Sequence, residues 1–226
     1  MVELEVVRVF AGPGGTGGSP LGVVRDGGSV PDAGERQTIA RRLGFSETVF
    51  VTDAARGEVE IYTPSAQLPF AGYPLVGTAW VLREHGMSVD VLRTRAGDVE
   101  TWFDGEFTWI RGRAEWVEGK RTQQFASAAE VDDLPAPPDG DGWLYAWAWE
   151  DESAGTVRAR GFPRRGDAIV EDEATGAAAM LLAAELGRDI RISQGRGSDI
   201  VARIADGGWI ELGGRVVGDE ARVLHP

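Results

Sequence analysis

Phe70-Ala71-Gly72-Tyr73-Pro74-Leu75-Val76-Gly77-Thr78-Ala79-Trp80-Val81-Leu82 and Glu171-Asp172-Glu173-Ala174-Thr175-Gly176-Ala177-Ala178-Ala179-Met180-Leu181-Leu182 read as one unit written twice. In each, a turn of small residues enters an apolar helix. Setting Tyr73 on Asp172 also sets Gly77 on Gly176, Ala79 on Ala178 and Leu82 on Leu181. The first N–H groups of a helix lack intrahelical partners and carry the positive end of its dipole. Such a mouth holds anions. Two mouths facing each other would grip a small acid between two halves.

The repeat continues past both helices. The first is followed by Leu92-Arg93-Thr94-Arg95, by Val99-Glu100-Thr101-Trp102-Phe103, by the turn Asp104-Gly105, and by Phe107-Thr108-Trp109-Ile110. The second is followed by Ile192-Ser193-Gln194-Gly195, by Ile200-Val201-Ala202-Arg203, by Asp206-Gly207-Gly208, and by Trp209-Ile210-Glu211-Leu212. Both are hairpin patterns with Asp-Gly at the turn. Asp32 to Leu43 predicts a further helix, capped by Asp32 and ended by Gly44, and Phe45 to Val51 turns into a strand. Residues 126–142, rich in Ala, Asp, Pro and Gly, read as a linker or surface loop. The expected architecture is α/β (α+β): two similar lobes, roughly 1–112 and 113–226, each a curled mixed sheet around a central helix, with the last strand able to cross to the first lobe. A long unit present only twice is a duplication, not a solenoid.

Composition narrows the function classes. The 226 residues carry a formal net charge of −13, with no basic run to attract nucleic acid or an anionic membrane. There is no cysteine, so disulfides, thiolate metal ligands and a cysteine nucleophile are excluded. The start, Met1-Val2-Glu3-Leu4-Glu5, alternates like a strand and does not resemble a signal peptide, and no apolar run is long enough to span a bilayer. A cytoplasmic protein is expected.

Gly18-Ser19-Pro20-Leu21-Gly22-Val23-Val24, Phe45-Ser46-Glu47-Thr48-Val49-Phe50-Val51, the segment from Tyr62-Thr63-Pro64 through Leu68-Pro69-Phe70-Ala71-Gly72-Tyr73-Pro74, Glu171-Asp172-Glu173-Ala174-Thr175-Gly176 and Gln194-Gly195 follow one another in an order that resembles the PhzF family. The resemblance covers most of the chain except residues around 113–155. It implies a fold similar to diaminopimelate epimerase, an active site between the lobes, no cofactor, a homodimer, and isomerase chemistry that shifts a proton.

The resemblance also implies site residues. Glu47 corresponds to the general base that moves a proton between carbons, and its neighbours Phe45, Val49 and Phe50 would desolvate it and raise its pKa. Asp172 corresponds to a residue that orients substrate or assists proton transfer, and it is also a good helix cap. Tyr73 stands where the family has His, and Glu173 where it has Pro. A phenol, with an ordinary pKa of about 10, donates a hydrogen bond well but titrates far from neutrality. Ser19, Gly72, Gly77, Thr78, Thr175, Gly176 and Ala177 are expected to bind substrate, the helix-mouth residues through backbone N–H groups.

Other signals point away from alternative chemistries. Gly12-Pro13-Gly14-Gly15-Thr16-Gly17 has the spacing of a dinucleotide loop, but a strand-like Leu21-Gly22-Val23-Val24 follows where a helix is required. Two scattered histidines, His85 and His225, make no metal constellation, and each reads as a helix-end or tail residue. Trp143, Trp147 and Trp149 suit core packing, or an aromatic wall for an apolar ligand. The function expected is a cofactor-independent isomerase of a small carboxylated metabolite. A repurposed tailoring enzyme with a more apolar substrate and a non-catalytic acid-binding member are the alternatives.

Overall fold

The computed structural model describes residues 2–87, 89–139, 142–163, 170–219 and 222–224, so His225 lies outside the described residues. The chain opens with β1 (Val2–Ala11) and β2 (Ser19–Val24), then α1 (Ala33–Leu43), β3 (Thr48–Asp53), β4 (Glu58–Tyr62) and the short β5 (Gln67–Leu68). It continues with α2 (Gly72–Glu84), β6 (Val91–Thr94), β7 (Gly97–Asp104) and β8 (Phe107–Arg113). The second half holds β9 (Lys120–Gln124), α3 (Ala128–Asp132), β10 (Trp143–Asp151), β11 (Thr156–Phe162), α4 (Gly176–Leu186), β12 (Ile190–Gln194), β13 (Ser198–Ala205), β14 (Trp209–Gly218) and β15 (Arg222–Leu224).

The local signals act as read. The Asp32 carboxylate accepts the Glu35 N–H at 2.9 Å, and Gly44 ends α1 in the left-handed region at φ 69°, which glycine adopts without penalty. The Asp-Gly turns join β7 to β8 and β13 to β14 as antiparallel pairs. The glycine-rich loop makes a single tight turn at Pro13–Gly15 and runs into β2, so no helix follows it. His85 caps the end of α2 and meets the Glu5 carboxylate at 3.1 Å.

Pairing direction shows the duplication better than sequence does. Through β2, β3, β4, β6, β7 and β8 the pairings run parallel, antiparallel, parallel, antiparallel, antiparallel. The series β9, β10, β11, β12, β13, β14 repeats that pattern. In each series a helix bridges the first parallel pair (α1, α3) and an apolar helix bridges the second (α2, α4). Residues 126–142, expected as a linker, therefore contain α3, the shortened counterpart of α1. Its five residues are nucleated by Ser127, whose hydroxyl accepts the Glu130 N–H at 3.2 Å.

β14 sits between β8 and β1, so β1, β2, β3, β4, β6, β7, β8 and β14 close a ring. α2 packs on β1, β2, β3, β8 and β14, and ten of its thirteen residues are buried. α4 packs on β13, β14 and β9, the two ends of the second series, so that sheet curls around it. Both helices are nearly apolar, as a helix surrounded by sheet must be. Among the described residues no helix is long and apolar enough to cross a membrane.

The helix starts abut. A Cβ on Gly72 would lie 2.9 Å from the Ala177 nitrogen, and one on Gly176 would lie 2.9 Å from the Tyr73 nitrogen. Either would also meet Leu212 Cδ2, at 2.6 Å and 2.8 Å. The structural equivalence thus pairs Gly72 with Gly176, both first residues of their helices. That corrects the expected register of Gly77 on Gly176: Asp172 stands four residues ahead of its helix, whereas Tyr73 is inside its own. Runs of small residues align in several registers, and only the close helix approach chooses between them.

Candidate active site

Glu47, Tyr73 and Asp172 come from three elements and meet in one place. Glu47 immediately precedes β3, Tyr73 lies in the first turn of α2, and Asp172 lies before α4, on a segment tied to β11 by its N–H donating to the Gly161 carbonyl at 2.8 Å. All three are buried. The Glu47 N–H donates to the Tyr73 hydroxyl oxygen at 3.2 Å. The Ser46 hydroxyl reaches Asp172 across the halves at 3.4 Å.

The phenol is held protonated. Burial pushes the Tyr73 pKa well above its ordinary value, and the Glu47 and Asp172 carboxylates push it further, with a side-chain hydrogen bond to Glu47 acting the same way. The Ser19 hydroxyl acts weakly in the opposite direction. At neutral pH Tyr73 is therefore a neutral O–H donor and not a base.

A second network fixes Asp172. The Thr175 hydroxyl donates to an Asp172 carboxylate oxygen at 2.8 Å. Gln194 faces inward by the alternation of β12, with Ile190 and Ile192 on the same buried face. Its amide donates to the Asp172 carbonyl and the Thr175 hydroxyl, each at 2.9 Å. Its oxygen accepts the Thr175 N–H at 3.0 Å and the Tyr145 hydroxyl at 2.9 Å. Glu173, which replaces a proline of the family pattern, accepts the Arg196 N–H at 2.7 Å and the Ser198 hydroxyl at 3.2 Å. Ser198 in turn accepts the Gly18 N–H at 2.9 Å, next to Ser19. The loop carrying Asp172 is thereby tied to the glycine-rich loop of the other half.

Most of the expected substrate residues surround one small cavity. Glu47, Gly72, Tyr73, Asp172, Thr175, Gly176 and Ala177 line it, with Leu68, Phe70, Ala71, Lys120 and Trp143. Its free volume is about 20 Å³, room for roughly one water molecule. A substrate enters only if these walls part. Ser19 stands behind Tyr73, buried at the start of β2, and not on the cavity wall.

Two expected residues lie elsewhere. Gly77 and Thr78 belong to the second turn of α2, where N–H groups are already spent on the helix. A Cβ on Gly77 would strike Leu21 and Val9, and the Thr78 hydroxyl donates back to the Pro74 carbonyl at 2.7 Å. Their placement is packing, and the mouth N–H groups that lack an intrahelical acceptor are those of the first turns. Trp143 and Trp147 belong to the core with Trp149 packed against it, the packing reading of these residues, and of the three only Trp143 also borders the site. Trp147 and Trp149 pack edge to face at 5.3 Å and line neither space at the site.

A larger space of about 290 Å³ adjoins the cavity, lined chiefly by Leu68, Phe70, Trp116, Val117, Lys120 and Trp143. Trp116 packs edge-on against Phe70 at 5.4 Å. Lys120 opens β9 directly opposite Trp143 in the parallel β9–β10 register, and its ammonium lies 4.9 Å above the Trp143 ring, a cation–π contact. Sequence reasoning missed Lys120 and Trp116. One signal was available: Lys120 is the single lysine in the chain, every other member of its 23 Lys and Arg residues being arginine. Among the described residues, no group of three or more His, Asp or Glu is gathered to hold a metal ion.

The family model described as PhzC-PhzF, phenazine biosynthesis-like protein, matches residues 7–116. An uncharacterized isomerase of Pasteurella multocida is 36% identical over 96 residues, covering 40% of this chain and 33% of that protein. The trans-2,3-dihydro-3-hydroxyanthranilate isomerase of Pseudomonas fluorescens is 42% identical over 71 residues, covering 30% of this chain and 25% of that protein. The chain thus spans about a third or less of the length of these relatives. The crystal structure of a PhzF family protein from Enterococcus faecalis superposes with a TM-score of 0.76 at 17% identity, covering 98% of both chains. Residues 7–116 are thus similar in sequence to the PhzC-PhzF family, and nearly the whole chain shares the fold of that PhzF family structure.

Proposed function

We propose that this protein is an isomerase that shifts a proton within a small carboxylated molecule, using its own side chains and no cofactor. The observation that carries the reading is the meeting of Glu47 and Asp172, from opposite halves, across one buried phenol at two abutting helix starts. Sequence relatives that bear isomerase names support it.

The first-turn N–H groups of α2 and α4 receive the substrate carboxylate. Glu47 takes a proton from the carbon beside it. The C–H electron pair moves into the conjugated system, and the negative charge that develops on oxygen is met by the same N–H groups. Glu47, now protonated, returns the proton to a carbon further along the system, forming the new C–H bond on the same face. Tyr73, locked as a neutral donor, steadies the Glu47 carboxylate while it is charged, and Asp172 orients the substrate from the other side. The fixed hydrogen bonds of Thr175 and Gln194 keep Asp172 in place.

The test is incubation of the protein in deuterium oxide with a panel of unsaturated and α-amino acids. Enzyme-dependent deuterium incorporation at carbon in at least one acid is expected. A protein that binds acids yet exchanges no carbon-bound hydrogen would be a binding member and would overturn this reading.

A further inference from the structure

The cavity at the two carboxylates has a charge problem. Glu47 and Asp172 face it, Glu118 lines the adjoining space, and the whole chain carries −13. The helix-mouth N–H groups offset part of that repulsion of an anionic substrate, and a nearby cation offsets more. Among the described residues lining either space, Lys120 is the only cation, and it is the one residue besides Leu68, Phe70, Trp143 and Ala177 that borders both. The chain otherwise uses arginine for every positive side chain. An ammonium is a compact point charge that can sit at the neck between two spaces, where a guanidinium fork would need a wider opening.

A second observation lies on the same wall. Trp143 is 6% exposed, and its indole N–H is buried without a hydrogen-bond acceptor among the described residues. The space beyond the neck is faced by Trp116, Phe70 and Leu68, a lining that favours a flat apolar body.

The geometry points to Lys120 as the charge anchor of the site: its ammonium joins the first-turn N–H groups in holding the acid group of a substrate whose planar apolar portion fills the space between Trp116, Phe70 and Trp143. This rests on the reading that the site acts on a carboxylated molecule, and it assigns the charged end of that molecule to Lys120 and its flat end to the larger space. The cation–π contact with Trp143 at 4.9 Å holds the ammonium at the neck.

Three probes separate charge from bulk. Cinnamate and crotonate share an unsaturated acid and differ in a phenyl ring, while cinnamamide keeps the ring and loses the charge. By calorimetry, cinnamate is expected to bind the protein at least about tenfold more tightly than crotonate or cinnamamide. Lys120→Met should weaken cinnamate on the order of 10–100-fold while leaving cinnamamide unchanged, and Lys120→Arg, which keeps the charge but needs a wider neck, should retain only part of the binding. The lone lysine gives an independent readout in the unaltered protein. Mild acetylation followed by mass spectrometry reports Lys120 alone beside the terminal amine, and cinnamate should slow its modification without protecting that amine. Equal affinity of Lys120→Met and the parent for cinnamate, equal affinity of cinnamate and crotonate, or no protection of Lys120 would each overturn the inference. Deuterium exchange without Lys120-dependent binding sinks this inference alone. Lys120-dependent binding without exchange sinks the isomerase reading and leaves the anchor standing.

Discussion

Gly176→Ala sets two known effects against each other, and the structure decides the sign. In a helix, replacing Gly by Ala ordinarily adds about 0.5–1 kcal/mol of stability through lower unfolded-state entropy. Here the new methyl would stand 2.8 Å from Leu212 Cδ2, 2.9 Å from the Tyr73 nitrogen and 3.1 Å from Phe10 Cε2. Leu212 can rotate, but the Tyr73 nitrogen is backbone at the start of α2, so one helix must retreat from the other. Overpacking of this kind costs roughly 1–3 kcal/mol. The clash wins, leaving a net loss of ~1–2 kcal/mol. In urea this lowers the unfolding midpoint by roughly 0.5–1 M at an ordinary slope. Gly72→Ala, with its methyl 2.6 Å from Leu212 Cδ2 and 2.9 Å from the Ala177 nitrogen, should behave alike. Adding Leu212→Ala to either should not restore the midpoint, because the backbone contact remains and a core cavity is added. A Gly176→Ala protein as stable as the parent, or more so, would refute the abutment of the two helix starts.

The three tyrosines give a second expectation. Tyr62 is pushed up to about 12, chiefly by burial with help from Glu60, and burial is also the main cause that raises Tyr73 and Tyr145. Folded pKa values above the unfolded one mean stability that is intact below pH ~10 and lost as pH rises past it; ultraviolet titration of the native protein should show no ordinary phenol ionising at pH ~10. At the other end of the scale, burial alone would raise Asp199, but Arg191 and Arg215 outweigh it and hold the carboxyl below its ordinary range. Its contribution to stability should fade as pH falls through that lowered pKa, and Asp199→Asn should flatten the acid limb of the stability curve. Gln194→Leu strips partners from the Thr175 N–H and the Tyr145 hydroxyl. It should cost about 1–3 kcal/mol per buried group left unpaired and lower turnover, because Asp172 loses its support. A homodimer is expected in sedimentation, and only a species near 24 kDa would argue against it.

Much of the fold was legible because local chemistry and tertiary structure agree. Asp32 and Gly44 bound α1, and both Asp-Gly turns make hairpins. The repeat was visible from small residues entering apolar helices, but its register was misread, since alanines and glycines align equally well at several offsets. The loop of residues 126–142 concealed α3 because a five-residue helix has too few turns to show periodicity. Glu47, Tyr73 and Asp172, singled out through the family motifs, lie together around one cavity. Gly77 and Thr78 were misplaced with the register. Lys120 lies past the stretch that the family model matches and Trp116 at its last residue, and their place on one wall depends on the curl that brings β9 round to α4, which no local pattern encodes.

The central claim is that Glu47 is the proton-moving base of this site. Glu47→Gln keeps the shape and hydrogen-bonding reach of the side chain and removes its basicity. The direct measurement is carbon-bound deuterium exchange by Glu47→Gln on an acid that the parent protein exchanges, alongside calorimetric affinity for the same acid. Loss of a general base costs ~10²–10⁴ in rate, so exchange should fall by that order while affinity stays within a few-fold of the parent. Unchanged exchange in Glu47→Gln would contradict the account.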